Sequence, residues 1–142
     1  MSVDVKYRTE ATATGGGRNG SASLASGMLT MTMATPKELG GSGKGHNPEE
    51  LFALGYAACF LGAMRAAASM QKLGTVPDNA TVTADVGIGP RGDGGFGIAV
   101  ELKIALPGVE PELAQKMVDA GHFVCPYSHA TKGNIDVTLT LV

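Results

Sequence analysis

The chain has 142 residues, 44% of them apolar, with two cysteines, no tryptophan and a formal net charge of −2 at pH 7. That length suits one domain that buries roughly 68–70% of its unfolded surface, so neither a metal nor a disulfide is required to hold a core. The charges are scattered, and no Lys/Arg cluster interleaved with aromatics is present, which argues against nucleic acid or an anionic membrane surface as a partner.

The amino-terminal run from Met1 to Lys6 lacks the apolar core of a signal peptide, and the apolar run Leu51 to Met64 falls short of the ~20 residues that span a bilayer. The expectation is a soluble cytoplasmic protein. Val3, Val5 and Tyr7, then Thr12 and Thr14, alternate as in an edge strand. Gly15 to Gly20 places glycines on both sides of Arg18 and reads as a hairpin turn carrying one charge. Strand signal resumes at Ser21 to Ser26 and Met28 to Thr35, which predicts an antiparallel meander. The glycine-rich loop from Pro36 to His46 contains Gly-x-Gly-Lys but neither a full Walker pattern nor a surrounding parallel-strand unit, so it predicts no nucleotide site.

A helix is expected to start at Asn47-Pro48-Glu49-Glu50. Asn is a favoured cap, Pro fits the first helical position, and Glu50 can close a capping box. It should run to about Leu73, before Gly74. From Leu51 to Met64 no face is polar, the pattern of a helix enclosed by other structure, and one thiol, Cys59, is set into it. Ala80 to Ile88 and Phe96 to Leu106 alternate with period two and predict a hairpin across Gly89 to Gly95. Pro111 opens a second helix that ends near Cys125, because Pro126 cannot continue it. Ile135 to Leu141 is the last strand. Strands flanking two helices without regular βαβ alternation point to an α+β fold with an antiparallel sheet, a central buried helix and a second helix, as a single domain over residues 1–142.

Buried cysteine is by default small apolar filler. Cys59 and Cys125 match no Cys-x-x-Cys motif, and in a reducing cytosol any pairing between them would be transient. His122, Cys125 and His129 have ligand-like spacing, but Pro126 breaks any helix that would align them on a metal. His122 and His129 are otherwise expected to be structural or surface residues, and Tyr56 and Tyr127 packing groups.

Three separated motifs in order narrow the choice: Gly-Gly-Arg-x-Gly at 16–20, Asn-Pro-Glu-x-Leu-Phe-Ala-x-Gly-Tyr-Ala-Ala-Cys-Phe at 47–60, and Cys-Pro-Tyr-Ser-x-Ala-x-x-Gly-Asn at 125–134. Together they closely resemble the organic hydroperoxide resistance (Ohr) proteins of the OsmC superfamily, over nearly the whole chain. The resemblance implies a thiol peroxidase of the oxidative stress response that reduces organic hydroperoxides to alcohols. It also implies an intertwined homodimer and re-reduction by lipoylated proteins, through dihydrolipoamide, with no bound cofactor. Carried over by motif, Cys59 matches the peroxidatic cysteine, Cys125 the resolving cysteine, and Arg18 and Glu49 the pair that activates the thiol. Lys132 stands where the family commonly has Arg, and His46 where a hydroxyl residue is usual; neither matches a residue assigned to chemistry.

The chemistry makes its own demands. A free thiol is only a few per cent ionised at pH 7, and burial raises its pKa further, so a cation must oppose the burial. Arg keeps its charge, and its planar fork can address a thiolate and a carboxylate together. Glu49 and Cys59 on one straight helix would stand ~15 Å apart along its axis. Either the helix breaks, or the Arg18/Glu49 pair serving one Cys59 comes from a partner subunit; the second is favoured because it also accounts for a helix apolar all round. Phe52, Tyr56, Phe60 and Met64 are expected to line a pocket that prefers alkyl or lipid hydroperoxides over hydrogen peroxide. The competing reading is an OsmC-like stress or sensor protein that holds an apolar ligand, with incidental thiols.

Overall fold

The computed structural model describes residues 2–142; Met1, which opens the amino-terminal run considered above, lies outside them. The contacts divide the chain into two compact units, one ending at Pro48 and the other Glu49–Val142.

The first unit is the expected meander. Strands β1 (Ala11–Thr14), β2 (Ser21–Leu24) and β3 (Thr30–Thr32) form a three-stranded antiparallel sheet in that order. β1 and β2 pair from Ala11↔Leu24 to Thr14↔Ser21. The hairpin between them closes through a 3-10 turn, Gly17–Asn19, with Arg18 at its centre. The alternation seen at Val3, Val5 and Tyr7 does not become strand, and these side chains are 76%, 48% and 80% exposed.

In the second unit, α1 spans Pro48–Met70 as one unbroken helix with Pro48 at its first position. It stops earlier than Gly74 suggests. Lys72 takes the left-handed conformation, φ 55°, and Leu73 N–H returns to the Ala68 carbonyl at 2.9 Å, so the closing turn is built two residues before the glycine. At 23 residues α1 is also longer than its apolar run, and by length and composition alone it could cross a membrane. One face is nonetheless packed into a protein core.

Strands β4 (Thr81–Pro90), β5 (Phe96–Ala105) and β6 (Val137–Leu141) form the second sheet, in that order. β4 and β5 are the expected antiparallel hairpin, extended to the pair Pro90↔Phe96. β6 pairs with β5 in parallel, Val100↔Val137 to Ile104↔Leu141, so the sheet is mixed and not wholly antiparallel. The reason is the connection. Parallel neighbours need a crossover of a dozen or more residues, and the helices α2 (Pro111–Val124) and α3 (Pro126–Thr131) supply it. The α+β class is unaffected. Val100, Leu102 and Ile104 of β5 meet Tyr56, Phe60, Met64 and Ala68 of α1 and Ala114, Met117 and Val118 of α2 in one buried cluster.

The helices α1 and α2 approach closely at Gly121. A Cβ there would lie 2.8 Å from Met64 Cβ and 2.9 Å from Met64 Cα, a separation that neither backbone can yield cheaply. Gly121→Ala is expected to destabilise the fold by about 1–3 kcal/mol, read as a lowered urea midpoint at unchanged slope.

Candidate active site

Cys59 lies mid-helix on α1 and Cys125 sits between α2 and α3, at the last cap of one helix and the first of the next. Pro126 produces this corner: it ends α2 and, at the first position of α3, starts another helix with its fixed φ. The sequence reading took Pro126 only as a terminator and so missed α3.

The two sulfurs are 3.6 Å apart, both as free thiols, with Cys59 partly buried and Cys125 fully buried. Burial pushes the Cys59 thiol above the ordinary range; a hydrogen bond from the Tyr127 backbone N–H pulls it down, and neighbouring Cys125 adds to the upward shift. The first turn of α3 thus brings both a second thiol and an N–H donor to Cys59.

Phe52, Tyr56 and Tyr127 form a ring cluster with centroids 5.7–5.8 Å apart. Gly55 leaves room for it, since a Cβ there would meet the Tyr127 hydroxyl at 2.9 Å. Of the four residues expected to line a substrate pocket, Tyr56, Phe60 and Met64 have no accessible surface and pack the core. A side chain with no surface left cannot offer one to a ligand, so that expectation is corrected for these three. Phe52 is partly buried, and Tyr127 beside it is 38% exposed.

A buried polar network adjoins the rings. The Tyr56 hydroxyl hydrogen bonds with Ser128 Oγ at 2.9 Å and Thr131 Oγ1 at 3.3 Å, and His122 Nδ1 with Ser128 Oγ at 3.0 Å. Tyr56 is therefore more than a packing group. The signal for it was a hydroxyl on an otherwise apolar helix, which has to find a partner once buried. Among the described residues no three His, Cys, Asp or Glu side chains gather as metal ligands, and His122 is turned to Ser128.

Glu49 stands in the first turn of α1, half-buried, and Arg18 is half-buried on the 3-10 turn of the first unit. Because α1 is unbroken, the ten residues from Glu49 to Cys59 amount to ~15 Å along its axis. Tyr56, Phe60, Ala63, Met64, Ala67 and Ala68 of α1 turn to the core. Leu54, Ala58, Gly62, Ala66 and Met70, spaced four apart, are exposed, so the helix is not enclosed within its own chain.

Residues 41–140 match the family described as OsmC-like protein. The chain is 55% identical over 138 residues to the organic hydroperoxide resistance protein of Xanthomonas axonopodis pv. citri, covering 96% of this chain and 95% of that one. Among solved structures, it superposes on an organic hydroperoxide resistance protein from Elizabethkingia anophelis with a TM-score of 0.90 at 46% identity, covering 98% of both chains. The corresponding values for OhrB of Bacillus subtilis are 0.86 and 38%, over 97% of this chain and 100% of that one.

Proposed function

The chain belongs to the OsmC-like family, with organic hydroperoxide resistance proteins among its near relatives, and from that premise we propose that it is a Cys-based peroxidase reducing organic hydroperoxides to alcohols. The observation that carries the proposal is the pair of free thiols held 3.6 Å apart where α1 meets the α2–α3 corner.

The Cys59 thiolate attacks one peroxide oxygen, the O–O bond breaks, and the alkoxide leaves and takes up a proton as the alcohol. Cys59 is left as a sulfenic acid. The Cys125 thiol condenses with it, the S–O bond breaks, and water leaves as the S–S bond forms. An external dithiol, dihydrolipoamide on a lipoylated protein, then reduces the disulfide and restores both thiols. This cycle uses no bound cofactor and suits the reducing cytoplasm, where a disulfide does not persist.

Phe52 and Tyr127, the rings of the aromatic cluster that retain surface, receive the organic part of the substrate, and each CH₂ they cover favours it over hydrogen peroxide by ~0.8 kcal/mol. Arg18 and Glu49, the pair that the motif resemblance assigns to activating the thiol, supply the charge that keeps Cys59 ionised. The continuity of α1 favours delivery of that pair by the second copy of an intertwined homodimer, and the exposed row Leu54, Ala58, Gly62, Ala66 and Met70 is the apolar face such a copy would cover.

One equivalent of tert-butyl hydroperoxide added to the reduced protein should yield one equivalent of tert-butanol. Mass spectrometry should show a linked 59–125 peptide lighter by two hydrogens. An intermolecular disulfide in its place, or peroxide left unconsumed, would overturn the proposal.

A further inference from the structure

The corner that carries Cys125 rests on a very short helix. α3 has six residues, too few to stand without outside support. Its support is polar. Ser128 and Thr131, 2% and 6% exposed, meet the hydroxyl of Tyr56, itself fully buried, and Ser128 is shared with His122 of α2. All three helices thus converge on one hydroxyl cluster, and no buried side-chain N or O among the described residues lacks a partner.

The placement of this cluster relative to the thiols is what gives it a chemical consequence. Tyr56 and Cys59 are three residues apart on α1, and Cys125 and Ser128 are three apart across the start of α3. Tyr56–Ser128 and Cys59–Cys125 are therefore two adjacent rungs between the same pair of segments, one a 2.9 Å hydrogen bond and the other a 3.6 Å sulfur contact. Closing the second rung to a disulfide of ~2.05 Å requires the sulfurs to approach by ~1.5 Å, which the register of the two segments has to permit.

We propose that Tyr56 is a positioning residue for disulfide closure, its hydroxyl holding α3 in register so that Cys125 captures the Cys59 sulfenic acid before a second peroxide does. This rests on the peroxidase reading above and adds to it a residue outside the reacting groups. The competition is between two fates of one intermediate. Attack by Cys125 expels water and gives the disulfide, whereas attack of the sulfenate on another hydroperoxide breaks a second O–O bond and gives the sulfinic acid with a second alcohol. Peroxide concentration sets the rate of the second fate, and register sets the rate of the first.

Tyr56→Phe removes the hydroxyl and keeps the ring, and Ser128 retains His122 as a partner, so the variant folds. The reduced protein is treated with increasing tert-butyl hydroperoxide, and the ratio of sulfinic Cys59 to linked 59–125 peptide is measured by mass spectrometry. The peroxide concentration that gives equal amounts should fall about tenfold in Tyr56→Phe, the scale of loss that a small misplacement of reacting groups brings. Ile104→Val, a core change that removes no atom of either rung, should keep the wild-type ratio even with a lowered melting temperature. An unchanged ratio in Tyr56→Phe, or an equal shift in Ile104→Val, overturns the positioning role while the wild-type linkage still supports the peroxidase. Absence of the linkage in the wild type overturns both.

Discussion

Replacing Cys59 by Ser should reduce alcohol formation from tert-butyl hydroperoxide by about a thousandfold or more, to the uncatalysed background, whereas Cys125→Ser should keep the first turnover and lose those that follow. The asymmetry comes from where the thiols sit. Cys59 is partly exposed and can meet a peroxide; Cys125 has no accessible surface, and its sulfur lies 3.6 Å from that of Cys59. A serine at 59 holds its proton at any working pH and offers no comparable nucleophile. With serine at 125 the sulfenic acid forms, finds no second thiol, and passes to the sulfinic state as peroxide rises. Rapid-mix kinetics with one equivalent of peroxide, followed by repeated additions with dihydrolipoamide present, separates the two variants. If Cys59→Ser consumes peroxide at the wild-type rate, the thiols are incidental and the ligand-binding reading takes over.

Most of what positions these thiols could be read from the chain before folding. Asn47-Pro48 marks the start of α1, and strict alternation marks β4 and β5, because capping and period-two patterning are local properties. What escaped is non-local. Alternation at Val137, Leu139 and Leu141 declares a strand without declaring its direction, and the parallel pairing of β6 depends on how far α2 and α3 carry the chain. A helix apolar all round gives no periodicity from which to choose a buried face. Both faces mix large and small side chains: Tyr56, Phe60, Ala63, Met64, Ala67 and Ala68 are buried, while Leu54, Ala58, Gly62, Ala66 and Met70 stay outside, and three residues expected at the substrate fall on the packed face. Pairing of Cys59 with Cys125 was indicated by motif resemblance alone, since 66 positions of chain carry no geometric information about sulfurs that end 3.6 Å apart. Ser128 and the Tyr127 N–H went unremarked because both depend on α3, a helix that begins at the residue taken to forbid one.

Arg18→Met should slow peroxide attack about a hundredfold at pH 7, ~2.7 kcal/mol of lost thiolate stabilisation. Burial raises the Cys59 thiol and the Tyr127 N–H offsets this only in part, so removing a guanidinium leaves the thiol mostly protonated at neutral pH. The sign follows from the reacting species. The rate tracks the thiolate fraction and rises with pH up to the thiol pKa, so the variant's profile should shift to higher pH and its deficit should shrink as alkaline pH ionises the sulfur without help. Iodoacetamide alkylation of Cys59 across pH, in a Cys125→Ser background, reads that shift directly. The origin of the charge is testable with the same residue. If Arg18 reaches Cys59 from the second copy, mixed dimers of Arg18→Met with Cys59→Ser subunits contain one complete site, the intact Cys59 of the first facing the intact Arg18 of the second. Random pairing of equal amounts, with half the dimers mixed and one working site in each, should restore about a quarter of wild-type activity. With Arg18 and Cys59 acting within one chain, no pairing rebuilds a site, and the mixture stays as inactive as its parents.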